Sequence, residues 1–219
     1  MGITVVTGAN RGIGLEFCRQ LTARGARVLA ACRRSSAELD ALGVRVLEGV
    51  DVSDPESVAL LAQEVGEDSV ELLVNNAGVM ESEVLGQIDF DGIRRQIEVN
   101  SLGPLRVTEA LLPRLGPGSK VAIVTSLMGS MADNGSGRKY GYRMSKAAVN
   151  AAGVSLARDL APREIPVVLL HPGLVATDMT AGRGMGTDES VRGLLARIDA
   201  LDLERSGTFW HSDGRALDW

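Results

Sequence analysis

Apolar residues run along this chain in short, nearly unbroken blocks. ITVVT (3–7), ARVLAA (26–31), VRVLEG (44–49), VELLVNN (70–76), KVAIVTS (120–126) and IPVVLLH (165–171) are dominated by β-branched and other apolar residues, with little polar alternation. A strand apolar on both faces is buried on both faces, the condition of a parallel sheet covered by helices on either side. Between the blocks lie longer stretches that predict helices at 12–25, 55–66, 90–114 and 143–161. The second has the clearest start, with Asp54 at the cap and Pro55 at the first helical position. A helix over 188–200 and a short strand over 207–210 complete the pattern. The alternation predicts a doubly wound α/β parallel sheet, the Rossmann fold, as one domain over 1–219. Gly182, Gly184 and Gly186 recur in TAGRGMGTDES (180–190), which reads as a mobile loop rather than a domain boundary.

Composition narrows the class. With 45% apolar residues in 219, the chain can bury a full core. A formal charge of −5 argues against a nucleic-acid or anionic-membrane surface, since those partners call for a basic face. No apolar run reaches the roughly 18 residues of a membrane span, and MGITVVTGAN lacks the pattern of a signal peptide. The expectation is a cytoplasmic protein with a small-molecule partner. Cys18 and Cys32 form neither CxxC nor metal spacing and read as buried reduced thiols.

Directly after the first strand comes TGANRGIG, followed by the helix LEFCRQLTARG. Gly8, Asn10, Arg11, Gly12, Ile13 and Gly14 thus form a strand–turn–helix loop in which backbone N–H groups and the positive helix end can meet a pyrophosphate. A bare tight turn explains one glycine better than three.

The Gly-x-x-x-Gly-x-Gly spacing resembles the short-chain dehydrogenase/reductase family, and the resemblance extends over nearly the whole chain. It implies adenine contacts from Asp51 and Val52 of VDVSD, and the family's structural signature in Asn75, Asn76, Ala77 and Gly78. It implies a catalytic asparagine at Asn100 of VNSLGP and a catalytic serine at Ser126 of VTSLMGS. The segment HPGLVATDM, with Pro172, Gly173, Val175 and Thr177, corresponds to the family's nicotinamide-binding segment, where Val175 and Thr177 would hold the carboxamide. The motifs stand closest to the C-factor-like members, which group with carbonyl-reductase-type sequences. One departure is a longer interval between Ser126 and Tyr142, filled by GSMADNGSGRKYG. The resemblance also implies a homo-oligomer, dimer or tetramer, formed through the 90–114 and 143–161 helices.

A carboxylate at the end of the second strand would bind the ribose 2′-hydroxyl of NAD(H). Here the strand ends AACRRSS, with no carboxylate until Glu38. Arg33, with Arg34 and Arg11 nearby, suits a 2′-phosphate, so NADP(H) is preferred and NAD(H) is the alternative. Arg34 also reads as a solvated helix-start residue.

YGYRMSKAAVN (140–150) holds both tyrosines of the chain and one of its lysines. Residues four apart share a helix face, so Tyr142 and Lys146 can enter one pocket, whereas Tyr140 has Met144 at that offset. A free phenol with pKa near 10 is a poor acid or base at neutrality. A lysine ammonium and an oxidised nicotinamide nearby would favour phenolate. Tyr142 is then the proton donor for a carbonyl, with Ser126 holding the same oxygen. In the family Lys146 also reaches the nicotinamide ribose, and Asn100 holds a water that links it to solvent. Thr125 and Ser130 compete with Ser126, which strand alternation and the family match favour. Asn100 alternatively satisfies helix backbone, and His171 before Pro172 reads as packing.

Met80, Met128, Met131, Met179 and Met185 fall just past strand ends. They suggest an adaptable apolar rim for hydrophobic aldehydes or ketones, with 178–190 as its lid, or gap-filling under loops. The expected activity is carbonyl–alcohol interconversion by hydride transfer. The rival reading is a C-factor-like signalling or regulatory protein that binds the dinucleotide with incidental turnover.

Overall fold

A computed structural model describes residues 2–219. Its strands are β1 (Ile3–Thr7), β2 (Arg27–Ala31), β3 (Arg45–Leu47), β4 (Val70–Asn75), β5 (Lys120–Val124), β6 (Val167–His171) and β7 (Thr208–His211). They form one parallel sheet in the order β3-β2-β1-β4-β5-β6-β7. The order reverses between β1 and β4, and the crevice beyond their carboxyl ends is where such sheets bind ligands.

The helices are α1 (Gly12–Ala23), α2 (Ala37–Asp40), α3 (Pro55–Val65), α4 (Phe90–Ile97), α5 (Gly103–Leu111), α6 (Tyr140–Leu160) and α7 (Thr187–Asp199). Each face of the sheet has its own core. Ile3, Val5, Leu73 and Ile123 pack with residues of α3, α5 and α6, while Val6, Val74, Ala122 and Leu170 pack with residues of α1 and α7. This is the physical content of the two-sided apolar runs: alternate side chains of one strand enter different cores.

The expected elements are all present, with informative differences. The short α2 was not anticipated; Ser36 caps it, accepting from the Leu39 N–H at 3.2 Å. The expected 90–114 helix is interrupted by a π-turn over Glu98–Leu102, where the Gly103 N–H reaches back to the Glu98 carbonyl. Pro104 is the cause: it has no N–H to offer the carbonyl of Asn100, four residues earlier. α6 begins at Tyr140, three residues before the expected start. The 180–190 segment is shorter and better anchored than a mobile loop. The Ala176 N–H donates to the Met185 carbonyl and the Met185 N–H to the Leu174 carbonyl, each at 2.9 Å, before α7 starts at Thr187. No helix among the described residues is long and apolar enough to cross a membrane.

Candidate active site

The glycine loop leaves β1 at the switch point. Gly8 and Gly12 have φ of 66° and 54°, a region that favours glycine. A Cβ at Gly8 would lie 2.8 Å from the Ala77 Cα, and one at Gly14 would strike the Gly8 carbonyl. Asn76 braces the turn, its Nδ2 donating to the carbonyls of Thr7 at 3.0 Å and Gly8 at 3.1 Å. The Thr7 hydroxyl accepts from the N–H groups of Asn76 and Ala77 at 3.0 and 3.1 Å. Thr7 was invisible as a site residue because it reads as one more β-branched strand position. The bonds weld the loop after β1 to the Asn76–Gly78 turn after β4.

Past β3, Val52 is buried and sits against α5, where a Cβ on Gly103 would come within 2.8 Å of the Val52 Cγ2. Burial alone would raise the Asp51 carboxyl, but hydrogen bonds from Ser53 and the Arg33 guanidinium hold it below its ordinary value. Arg33 is exposed at the end of β2. Arg11, by contrast, pairs with Asp178 at 2.7 Å across the crevice. Two carboxylates also stand here: Glu48 accepts from the Ser35 N–H, and Asp40 from the Ser35 hydroxyl at 2.5 Å. Reading outward from β2 could not find Glu48, which arrives from the end of β3.

Past β5 the backbone stays extended at Ser126 (φ −151°, ψ 147°), then forms a tight turn over Leu127–Gly129. The alternation that favours Ser126 thus outlasts the strand. Its competitors are engaged elsewhere. The Thr125 hydroxyl donates to Asn150 Oδ1 at 2.7 Å, and Ser130 Oγ accepts from the Asp133 N–H at 3.3 Å. The Ser126 hydroxyl accepts from the Met128 N–H at 3.1 Å and stands beside the phenol of Tyr142, whose ionised form it favours. Burial pushes that phenol up, and Ser126 opposes the shift without cancelling it. Lys146 lies one turn further along α6, its Nζ 5.8 Å from the Tyr142 ring centre and donating to the Val124 carbonyl at 3.0 Å. Burial lowers its ammonium to about 8.

Asn100 sits in the π-turn, 1% exposed. Its Oδ1 accepts from the Val79 N–H and its Nδ2 donates to the Val79 carbonyl, both at 2.8 Å, and Nδ2 also donates to Ser145 Oγ at 2.9 Å. The side chain therefore does satisfy backbone, that of a neighbouring segment. Ser145 Oγ in turn donates to the Tyr142 carbonyl at 2.9 Å, joining Asn100 to the helix of Tyr142 and Lys146. A Cβ on Gly78 would stand 3.3 Å from Asn100 Oδ1 and 3.8 Å from Lys146 Nζ, so all three converge.

The last side of the crevice is the stretch after β6. Val175 is buried, and the Thr177 methyl stands 3.2 Å from where a Gly12 Cβ would be. The Pro172 carbonyl accepts from the hydroxyls of Ser190 at 2.7 Å and Ser212 at 3.1 Å. Gly173 has φ of 85°. His171 packs edge-to-face on His211 with ring centres 4.9 Å apart, and burial lowers it to about 4, which fits packing. Of the methionines, Met131 and Met179 are exposed, and the Met80 sulfur lies 3.4 Å from Lys139 Nζ. Cys18 and Cys32 are buried free thiols, and burial pushes Cys18 up to about 12.

A parallel sheet with this order, and a glycine loop at its switch point, defines a Rossmann-type protein whose crevice brings Ser126, Tyr142, Lys146 and Asn100 together. The family model for short chain dehydrogenases matches residues 2–187, and the chain belongs to that family of oxidoreductases. It is 46% identical over 226 residues, covering 100% of both chains, to 1-hydroxy-2-glutathionyl-2-methyl-3-butene dehydrogenase of Rhodococcus sp. (strain AD45). It is 47% identical over 154 residues to C-signal of Myxococcus xanthus, covering 68% of this chain and 93% of that one. Among solved structures, NADPH-bound carbonyl reductase from chicken fatty liver superposes with a TM-score of 0.92 at 29% identity, covering 100% of this chain and 99% of the other.

Proposed function

We propose that the chain is an NADP(H)-dependent oxidoreductase interconverting an aldehyde or ketone with its alcohol, and that Asn100, Ser126, Tyr142 and Lys146 are its working residues. The observation that carries this reading is the buried Tyr142, with Ser126 beside its phenol and the buried Lys146 Nζ 5.8 Å from its ring centre. Tyr142 Oη gives its proton to the carbonyl oxygen in reduction and takes one from the hydroxyl in oxidation. Ser126 holds that oxygen by a hydrogen bond. Lys146, with an ammonium value near 8, supplies positive charge beside Tyr142 and exchanges protons near neutrality. The Asn100 side chain fixes the segment after β4, and its carbonyl, without a donor from Pro104, is available to water.

The cofactor supplies or accepts the hydride. The cradle fits such a group, because a side chain at Gly8 would collide with the Ala77 backbone and one at Gly14 with the Gly8 carbonyl. Gly8, Asn10, Arg11, Gly12, Ile13 and Gly14 would hold the pyrophosphate. Asp51 and Val52 would face adenine, and Asn76, Ala77 and Gly78 the ribose side of the crevice. Tyr142 and Lys146 would meet the nicotinamide ribose, and Pro172, Gly173, Val175 and Thr177 the nicotinamide. Arg33 and the NADPH-bound avian relative favour NADP(H). Glu48 and Asp40 keep NAD(H) as the alternative.

An apolar carbonyl compound suits the Met80, Met131 and Met179 rim. The Rhodococcus relative's name puts a glutathionyl-bearing alcohol on the test panel. The exposed Phe90, Leu102 and Met144 on and beside the expected interface helices support self-association, which light scattering of the purified chain tests. The deciding experiment follows cofactor oxidation over aldehydes and ketones, and reduction over alcohols, with Tyr142→Phe as control. A loss of about 100-fold or more in kcat with NADPH still bound supports the enzyme. The C-signal likeness favours a second reading, a signalling protein that binds the dinucleotide; no turnover by either the parent or Tyr142→Phe supports that one.

A further inference from the structure

The start of α6 is held by a residue from another part of the chain. Gly137, Arg138 and Lys139 have φ of 61°, 57° and 50°, three consecutive left-handed residues, and two of them carry side chains. That conformation costs roughly 1–2 kcal/mol per non-glycine residue and persists only where the surroundings impose it. Lys139, at the helix cap, offers no side-chain acceptor to the first turn. Both deficits meet at Glu83. Its backbone carbonyl accepts from the Lys139 N–H at 3.2 Å, and its Oε2 accepts from the Gly141 N–H at 3.1 Å.

Glu83 is 3% exposed, and its other oxygen accepts from Gln96 Nε2 at 2.6 Å. Gln96 is fully buried, and its own Oε1 accepts from the Glu81 N–H at 3.0 Å. Among the described residues no side-chain cation bonds this carboxylate; its charge is met by neutral donors and the positive end of α6. The fit is tight, because a Cβ on Gly141 would collide with Gln96 Nε2 and come within 3.0 Å of Glu83 Oε1. Gly141 immediately precedes Tyr142.

We infer that Glu83 is a positioning residue that caps α6 from outside, fixing the left-handed turn and with it the reach of the Tyr142 phenol. The inference rests on the reading of Tyr142 as proton donor. The hydrogen-bond pattern uses two acceptors on residue 83 and, on residue 96, a donor facing Glu83 that also makes a long contact with the Gly92 carbonyl at 3.4 Å, the one bond that exchanging the two residues gives up. Glu83→Gln puts an amide against the Gln96 amide, while the paired change Glu83→Gln with Gln96→Glu restores complementarity with the donor and acceptor exchanged.

The test measures kcat, KM and NADPH Kd for Glu83→Ala, Glu83→Gln and the Glu83→Gln/Gln96→Glu pair. Misplacement of a reacting group by about 1 Å can cost on the order of 100-fold, so Glu83→Ala is expected to lose about 10- to 100-fold in kcat. Glu83→Gln is expected to lose about tenfold, and the pair to recover to within about threefold of the parent. NADPH Kd should stay within about threefold throughout, because the glycine loop is remote from these bonds. An unchanged kcat in folded Glu83→Ala, or a pair no better than Glu83→Gln, overturns the inference. Should Glu83→Ala not fold, the comparison of Glu83→Gln with the pair decides alone. Full activity in Tyr142→Phe would instead remove the underlying reading, whatever the Glu83 variants do.

Discussion

Gly129 lies directly on the backbone of Lys146: a Cβ there would stand 2.7 Å from the Lys146 carbonyl carbon and 2.8 Å from its oxygen. The turn after Ser126 is thereby seated against α6 at the residue that serves Tyr142. Gly129→Ala is expected to destabilise the fold by about 1–3 kcal/mol through overpacking. It should also lower kcat by separating Ser126 from Tyr142. Urea unfolding and steady-state rates check the two effects, and an unchanged kcat in the folded variant would mean the turn does not set the Ser126–Tyr142 spacing.

The π-turn makes its own prediction. Pro104→Ala returns an N–H that can bond the Asn100 carbonyl and regularise the helix. A loss of roughly tenfold in kcat with unchanged NADPH affinity is expected if that carbonyl serves water. A rate equal to the parent's would assign the turn a purely packing role.

Cofactor choice should respond to two opposing charges. Arg33→Asp should move the NADPH-to-NADH ratio of Kd values toward NADH by about tenfold or more. Glu48→Gln should move it the other way, since removing that carboxylate relieves repulsion of a 2′-phosphate near Ser35. Fluorescence titration with both cofactors gives the ratios, and a pair of variants moving in the same direction would contradict this account.

His171 predicts a stability slope in acid. Its folded value, lowered to about 4 by burial and by His211, lies below the ordinary 6.5, so the unfolded chain takes up the proton first as pH falls. The group's contribution is complete above pH 6.5, declines between 6.5 and 4, and changes no further below 4. The total is about 3 kcal/mol. Urea unfolding across this range should show the slope, and His171→Gln should flatten it.

Tyr142 sets the alkaline limit of reduction. Burial raises its phenol above the ordinary 10, so the proton donor persists through neutral pH and carbonyl reduction should hold its rate until pH passes 10. Alcohol oxidation, which needs the phenolate, should climb with pH. A reduction rate falling between pH 7 and 9 would instead place the limit at Lys146, whose ammonium lies near 8.

Much of this was legible in the residues alone, for a physical reason. Strands buried on both faces must be apolar throughout, so β1, β4, β5 and β6 announce themselves, and a loop without room for Cβ atoms shows its glycines. Tyr142 and Lys146 are readable because helical spacing is local. What escaped depends on meetings between distant segments. Glu83 lies between β4 and α4 in a stretch with no periodicity, and only the fold brings it to Gly141. Glu48 reaches Ser35 through the β2–β3 pairing, and Arg11 is drawn to Asp178 from across the crevice. The burial of the Tyr142 phenol was not legible because burial is a property of the assembled core, and there it outweighs the influence of Ser126.

The bridge between Val175 and Met185 gives the stretch between them an unusual freedom. Its two feet are held by main-chain hydrogen bonds, which almost any side chain can make. The excursion from Ala176 to Gly184 therefore hangs in a main-chain socket, in which Thr177 against Gly12, Asp178 paired with Arg11, Thr180 bonded to the Val175 carbonyl and Gly184, where a Cβ would strike the Leu174 carbonyl, are the fixed points. A relative's sequence that keeps those points could be grafted into the socket while leaving Ser126 past β5, and Tyr142 and Lys146 on α6, untouched.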